Sequence, residues 1–89
     1  MKSLSSRPDP DPGLVQRAQE GDREALKTLL EEVAPTVRQW AFASTGDSDL
    51  AFDLSQEVLV LLLRKISSYR GEARFLSWLF TVTRNQALE

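Results

Sequence analysis

The sequence predicts an all-α protein, a compact bundle of about four helices behind an extended N-terminal lead-in. Three observations lead there. From Leu14 onward the apolar residues recur with the period of a helix. Glycine-containing turn clusters followed by Asp or Ser divide the chain, at Gly21-Asp22 and at Ser44-Thr45-Gly46-Asp47-Ser48. The one run that reads equally well as a buried strand, Val58 to Leu63, has no second strand to pair with.

Each element follows from its residues. Arg7-Pro8-Asp9-Pro10-Asp11-Pro12 alternates proline with aspartate, which neither forms a helix nor supplies apolar surface, so residues 1–13 are expected to be extended and disordered. Order is expected from near Leu14, where Leu14, Val15 and Ala18 give a short amphipathic helix stopped by Gly21. Asp22 caps a second helix whose stripe is Leu26, Leu29, Leu30, Val33, Val37, Trp40 and Ala41. Pro35 lies on the opposite face and is expected to kink that helix rather than end it. A third helix follows Asp47 or Ser48 and reaches about Ser67, with acids in its first turns and Arg64-Lys65 in its last, as the helix dipole favours. Its middle is apolar on all sides, which predicts the central member of the bundle. A fourth helix begins near Ala73 without a good cap of its own and runs to Glu89 with no stop signal. A following domain is therefore expected beyond residues 14–89.

Bulk properties narrow the function. With 89 residues and 42% apolar content the chain makes one domain with a modest core. It contains no Cys, which excludes disulfides and thiolate metal sites and fits a cytoplasmic protein; it has no signal-peptide core and no run able to cross a bilayer. It also contains no His, and no carboxylate stands in an apolar setting that would tune it for acid–base work. Catalysis is disfavoured, and no cofactor or metal is implied.

The net charge of -2 conceals a division. Asp47, Asp49, Asp53 and Glu57 fall in a stretch without Lys or Arg, whereas Val58 to Arg84 holds Arg64, Lys65, Arg70, Arg74 and Arg84 against the single acid Glu72. Asp49, Asp53 and Glu57 are spaced four apart, so they share one helical face with Gln56 beside them. That face is either a solvated helix start or a docking stripe for a basic protein surface. On the fourth helix Phe75, Trp78, Leu79 and Val82 form a core face, while Arg74, Ser77, Thr81, Arg84 and Asn85 form a polar one. Arg, Asn and short hydroxyl residues reach phosphates and read base edges, although an unliganded solvated face has the same composition. Leu76 and Phe80 fall off both faces and point to a further contact surface; Trp78 fits the core better than a stacking platform. The loop Tyr69-Arg70-Gly71-Glu72-Ala73 puts a phenol, a guanidinium and a flexible glycine at a helix N-terminus, the kind of equipment that holds single-stranded nucleic acid by stacking and charge. Glu72 points to base donors rather than to a phosphate track.

Taken together, Asp53-Leu54-Ser55-Gln56-Glu57-Val58, Tyr69-Arg70-Gly71-Glu72-Ala73, Trp78-Leu79-Phe80 and Arg84-Asn85 resemble the second conserved region of bacterial sigma factors, most closely the extracytoplasmic-function subgroup. Gln19 to Leu26 is similar to that family's opening segment, so the resemblance covers Leu14 to Glu89. It implies a helical domain that holds core RNA polymerase and the minus-ten promoter element together. By the same resemblance Asp53, Gln56 and Glu57, with Asp49 beside them, would meet the polymerase clamp coiled coil. Tyr69 to Arg74 would capture an unstacked base of the non-template strand, Asn85 would contact a base, and Arg84, Ser77 and Thr81 would lie near the strand backbone. Thr81 departs from the arginine common at its position, and Leu61 and Leu63 add apolar surface that an anti-sigma factor or a neighbouring domain would cover. The family's minus-thirty-five reader is absent from these residues. Two rivals remain open: a helical interaction module that docks or sequesters partners without reading DNA, and a stand-alone helix-turn-helix protein, which the long connection before the fourth helix disfavours.

Overall fold

A computed structural model describes residues 8–88, with side chains as far as Asn85. Four helices follow one another: α1 (Pro12–Gln19), α2 (Arg23–Thr45), α3 (Ser48–Lys65) and α4 (Phe75–Leu88), with a single 3-10 turn at Ile66–Ser68. Among the described residues there is no strand.

Three of the helices begin at an aspartate of their own. The carboxylates of Asp11, Asp22 and Asp47 accept hydrogen bonds from the backbone N–H groups of Leu14, Ala25 and Leu50 at 3.1, 3.1 and 2.9 Å. Each satisfies a donor that the first helical turn leaves without a partner. Pro12 occupies the first turn of α1, where its missing N–H costs nothing. Helix α2 closes on Gly46, whose φ of 68° is the left-handed conformation that side chains disfavour. Pro35 stays within an unbroken α2, on its exposed side.

Helix α2, not α3, is the central member: it packs against α1, α3 and α4. Leu29, Val33 and Val37 of α2 meet Val58 and Leu62 of α3 and Phe75 and Leu79 of α4 in one buried cluster, with Leu14, Val15 and Ala18 of α1 closing one end. Full burial of such side chains contributes roughly 1.5–3 kcal/mol each relative to exposure. The expectation that α3 is enclosed on all sides is corrected. It buries Ala51, Ser55, Val58 and Leu62, but Val60 and Leu63 are 49% and 43% exposed. Its apolar run exceeds what one packed face can cover.

Helix α4 shows the reverse. It packs against both α2 and α3, so its buried face is broader than one stripe. Leu76 is buried, and Phe80 packs edge-on against Trp40 with ring centres 5.1 Å apart. Leu76 belongs to the core and the partly buried Phe80 packs against it, which corrects their reading as a separate contact surface. Trp78 is half-buried.

The lead-in also differs from expectation over residues 8–13. Helix α1 starts at Pro12 rather than Leu14, Pro10 is buried, and Asp9 is bonded to α4. Proline pre-sets φ for an extended approach, so this segment lies along the bundle with little entropy left to lose. Residues 1–7 lie outside the described residues.

Candidate nucleic-acid interface

Helix α4 lacks a cap in the sequence that immediately precedes it, and the structure supplies one from 66 residues away. One carboxylate oxygen of Asp9 accepts the N–H of Phe75 at 2.7 Å and the other accepts that of Leu76 at 2.9 Å. The same carboxylate stands 3.8 Å from Nε of Arg74. The anion expected at this helix N-terminus therefore comes from the protein itself, where both the helix dipole and a guanidinium favour it.

The connection into α4 is anchored at its other end by α1. The side-chain amide of Gln19 donates to the carbonyls of Ile66 and Tyr69 at 2.9 and 2.7 Å. Within the loop, the Tyr69 hydroxyl donates to the carbonyl of Ala73. The Tyr69 ring lies 5.2 Å from Phe75 and 5.4 Å from Trp78, centre to centre, so the three rings pack together beneath the loop, with Tyr69 and Phe75 facing the groove. Burial, and secondarily the Asp9 carboxylate, raise the Tyr69 phenol above its ordinary value of 10.0. Gly71 has a φ of 77°, with open space where a Cβ would stand, so glycine is required for the turn and not for packing within the chain.

Between this loop and α1 lies an open groove of about 530 Å³. Tyr69, Arg70, Gly71, Ala73, Arg74 and Phe75 line one side of it; Asp9, Pro10, Pro12, Val15, Gln16 and Gln19 line the other. An aromatic floor, two guanidinium groups and several main-chain or amide polar atoms suit a flat, polar-edged ring of base size, held by stacking and hydrogen bonds.

Of the residues expected to meet nucleic acid, the groove gathers Tyr69, Arg70, Gly71 and Arg74. Glu72 is exposed on the same loop without lining it, and Ser77, Thr81, Arg84 and Asn85 are exposed along α4. The Thr81 hydroxyl donates back to the carbonyl of Ser77 at 3.2 Å, so its proton is already in use. On α3, Asp49, Asp53, Gln56 and Glu57 are all exposed. Near them Leu50 and Phe52 are each 57% exposed, giving the acidic face an apolar border. Sequence reasoning missed the whole α1 side of the groove. Asp11-Pro12 carried a readable signal, an N-cap aspartate before a first-turn proline. Asp9 and Gln19 carried none, because their partners are remote in the chain.

Comparison with known proteins settles the family. The sigma-70 region 2 family matches residues 29–89, well over half of the chain. The chain belongs to that family. Its relatives include the ECF RNA polymerase sigma factor BldN of Streptomyces coelicolor, 34% identical over 73 residues, 81% of this chain and 28% of that protein. The ECF RNA polymerase sigma-E factor of Haemophilus influenzae is 32% identical over 77 residues, 86% of this chain and 40% of that protein. The ECF RNA polymerase sigma factor EcfG of Rhodopseudomonas palustris is 34% identical over 62 residues, 70% of this chain and 34% of that protein. This is region 2 of the extracytoplasmic-function type, as the motifs from Asp53 to Asn85 imply. The chain spans between 28% and 40% of the length of these curated relatives. Among the described residues no helix is long and apolar enough to cross a membrane.

Proposed function

We propose that this domain is a cytoplasmic transcription initiation module that binds core RNA polymerase and captures unpaired bases of the promoter minus-ten element on the non-template strand. The observation that supports it is the separation of two exposed surfaces: an acidic face on α3 (Asp49, Asp53, Gln56, Glu57), and a groove between α1 and the loop ahead of α4 with an aromatic floor and Arg70 and Arg74 at its side. The acidic face takes the basic clamp coiled coil of the polymerase. The groove takes a base that has left the duplex, while Ser77, Thr81 and Arg84 run beside the backbone of the strand and Asn85 meets a further base. Residence of the base in the groove offsets the cost of unpairing, a few kcal/mol per flipped base. The chemistry is capture, with no bond made or broken.

The free domain is expected to hold DNA weakly. Three basic contacts on a single strand, Arg70, Arg74 and Arg84, give a salt slope of only about -2, at roughly -0.7 per phosphate, too shallow a term to overcome a net acidic chain at physiological salt. Polymerase binding supplies the missing affinity by bringing the strand to the groove. The test is a pull-down of core polymerase with the wild-type chain and with an Asp53→Lys/Glu57→Lys double variant, alongside strand binding by the loaded complex. Loss of retention in the double variant is expected; unchanged retention rejects the docking assignment. Nanomolar binding of arbitrary single strands by the chain alone rejects the division of labour.

A second reading, a module that only docks or is sequestered, draws on the apolar border of the acidic face, where Leu50, Phe52, Val60 and Leu63 stand exposed and an anti-sigma factor could lie. Asn85→Ala separates the two: altered promoter preference with intact polymerase retention favours promoter capture, and no change in either favours docking.

A further inference from the structure

The loop from Tyr69 to Arg74 has little internal means of keeping its shape. Gly71 leaves its middle conformationally free, and across it the Tyr69 hydroxyl donates to the Ala73 carbonyl. Its two ends are instead fixed from the far side of the groove. At the start, one amide group of Gln19 reaches both Ile66 and Tyr69 carbonyls. At the end, both oxygens of Asp9 are taken by successive N–H groups of α4, with Arg74 alongside. The intervening Pro10 is buried, and Pro10 and Pro12 form part of the groove wall, so the strap that delivers Asp9 is stiff. Both anchors line the groove they hold open.

We propose that Asp9 and Gln19 are positioning residues for base selection: the strap ahead of α1, together with α1, sets the width and orientation of the groove, and with them the identity of the base it accepts. The inference rests on the reading of the groove as the base-capture site. It assigns the N-terminal segment a part in discrimination that it plays without supplying the stacking ring. Asp9 holds the first turn of α4 and the Arg74 guanidinium in place. Gln19 holds the carbonyl of Tyr69 and so the ring attached to it. A misplacement of an ångström at either end changes which ring edge finds its hydrogen-bond partners.

The experiment uses the whole chain bound to core polymerase and a randomised single-stranded DNA pool, with base preference read at every position by sequencing the retained strands. Variants are Asp9→Ala, Asp9→Ser, Gln19→Glu and, as a control in the groove itself, Arg70→Ala. Gln19→Glu keeps the shape but replaces the donor with an acceptor facing two carbonyls. Asp9→Ser restores an N-cap acceptor without the charge. Asp9→Ala and Gln19→Glu are expected to flatten the preference at one position by about tenfold, the scale of one well-made base contact, with polymerase retention and the other positions unchanged. Asp9→Ser is expected to recover that preference. A uniform loss across all sequences, paralleled by a loss of folded fraction in circular dichroism, would mean that the anchors only support the fold and would overturn the proposal. An unchanged preference in Asp9→Ala and Gln19→Glu beside a flattened one in Arg70→Ala overturns the positioning role and leaves base capture standing. If Arg70→Ala is also without effect, the groove is not the capture site and both readings fall.

Discussion

Asp49, Asp53, Gln56 and Glu57 all sit on one helix, whose own cap, Asp47, lies just ahead of them. The groove beside Tyr69 is assembled differently. It draws on the strap around Asp9, on α1, on the loop and on the start of α4, joined by hydrogen bonds that span 47 to 67 residues of sequence. The first surface forms wherever α3 forms. The second exists only when the whole bundle has closed. A protein with one local surface and one composite surface can lose the second while keeping the first.

That difference can be broken most severely at Phe75, which is 1% exposed, contributes to the core and abuts Tyr69 at 5.2 Å. Phe75→Ala is expected to lower folding stability by about 3–5 kcal/mol in urea titration. A comparable truncation on the exposed side of α3, Val60→Ala, should stay within about 0.5 kcal/mol. Near-equal costs would mean that the groove is no more dependent on the core than the acidic face.

A finer comparison sets a remote cap against a local one. Asp9→Ala and Asp22→Ala each remove a carboxylate from helix N–H groups, at about 1 kcal/mol apiece. Hydrogen exchange should tell them apart: Asp22→Ala exposes the first turn of α2, whereas Asp9→Ala raises exchange from Tyr69 through Leu76. Confinement of the Asp9→Ala effect to Phe75 and Leu76 would mean that the loop holds itself.

Smaller still, Asp53→Gln relieves repulsion from Asp49 and Glu57 at four-residue spacing and should raise stability by a few tenths of a kcal/mol while weakening polymerase retention. The dipole benefit lost is slight, because Asp53 lies beyond the first turn of α3. A clear drop in stability would identify Asp53 as structural.

The least effect is alkaline. The Tyr69 phenol binds its proton more tightly in the folded chain than its ordinary 10.0, so its contribution is complete below that pH and is lost as pH rises past it. Tyr69→Phe should flatten the fall in stability above about pH 10. An identical slope in both proteins would remove burial and Asp9 as influences on this group.

How far the sequence revealed this molecule follows the same line. Asp22, Asp47 and Gly46 were readable because capping acts within three or four residues, and the α2 stripe because helical periodicity is local. The acidic face was readable for the same reason. Leu76 and Phe80 fall outside the single stripe that helical periodicity draws on α4, because two neighbours grip that helix. Val58 to Leu63 looked central because composition states how apolar a helix is, not how many partners it finds. Asp9 and Gln19 were invisible, since nothing in Asp9-Pro10 or in Gln19-Glu20 names a partner on the far side of the fold.

The two tryptophans make the chain its own spectroscopic instrument. Trp40 is 3% exposed, and its indole N–H has no hydrogen-bond partner among the described residues, a setting that gives short-wavelength emission insensitive to added quencher. Trp78 leans on the Tyr69 ring that floors the groove. Replacing Trp40 by Phe leaves a single fluorophore whose colour and lifetime follow events in the groove, without any dye attached to either the protein or the strand.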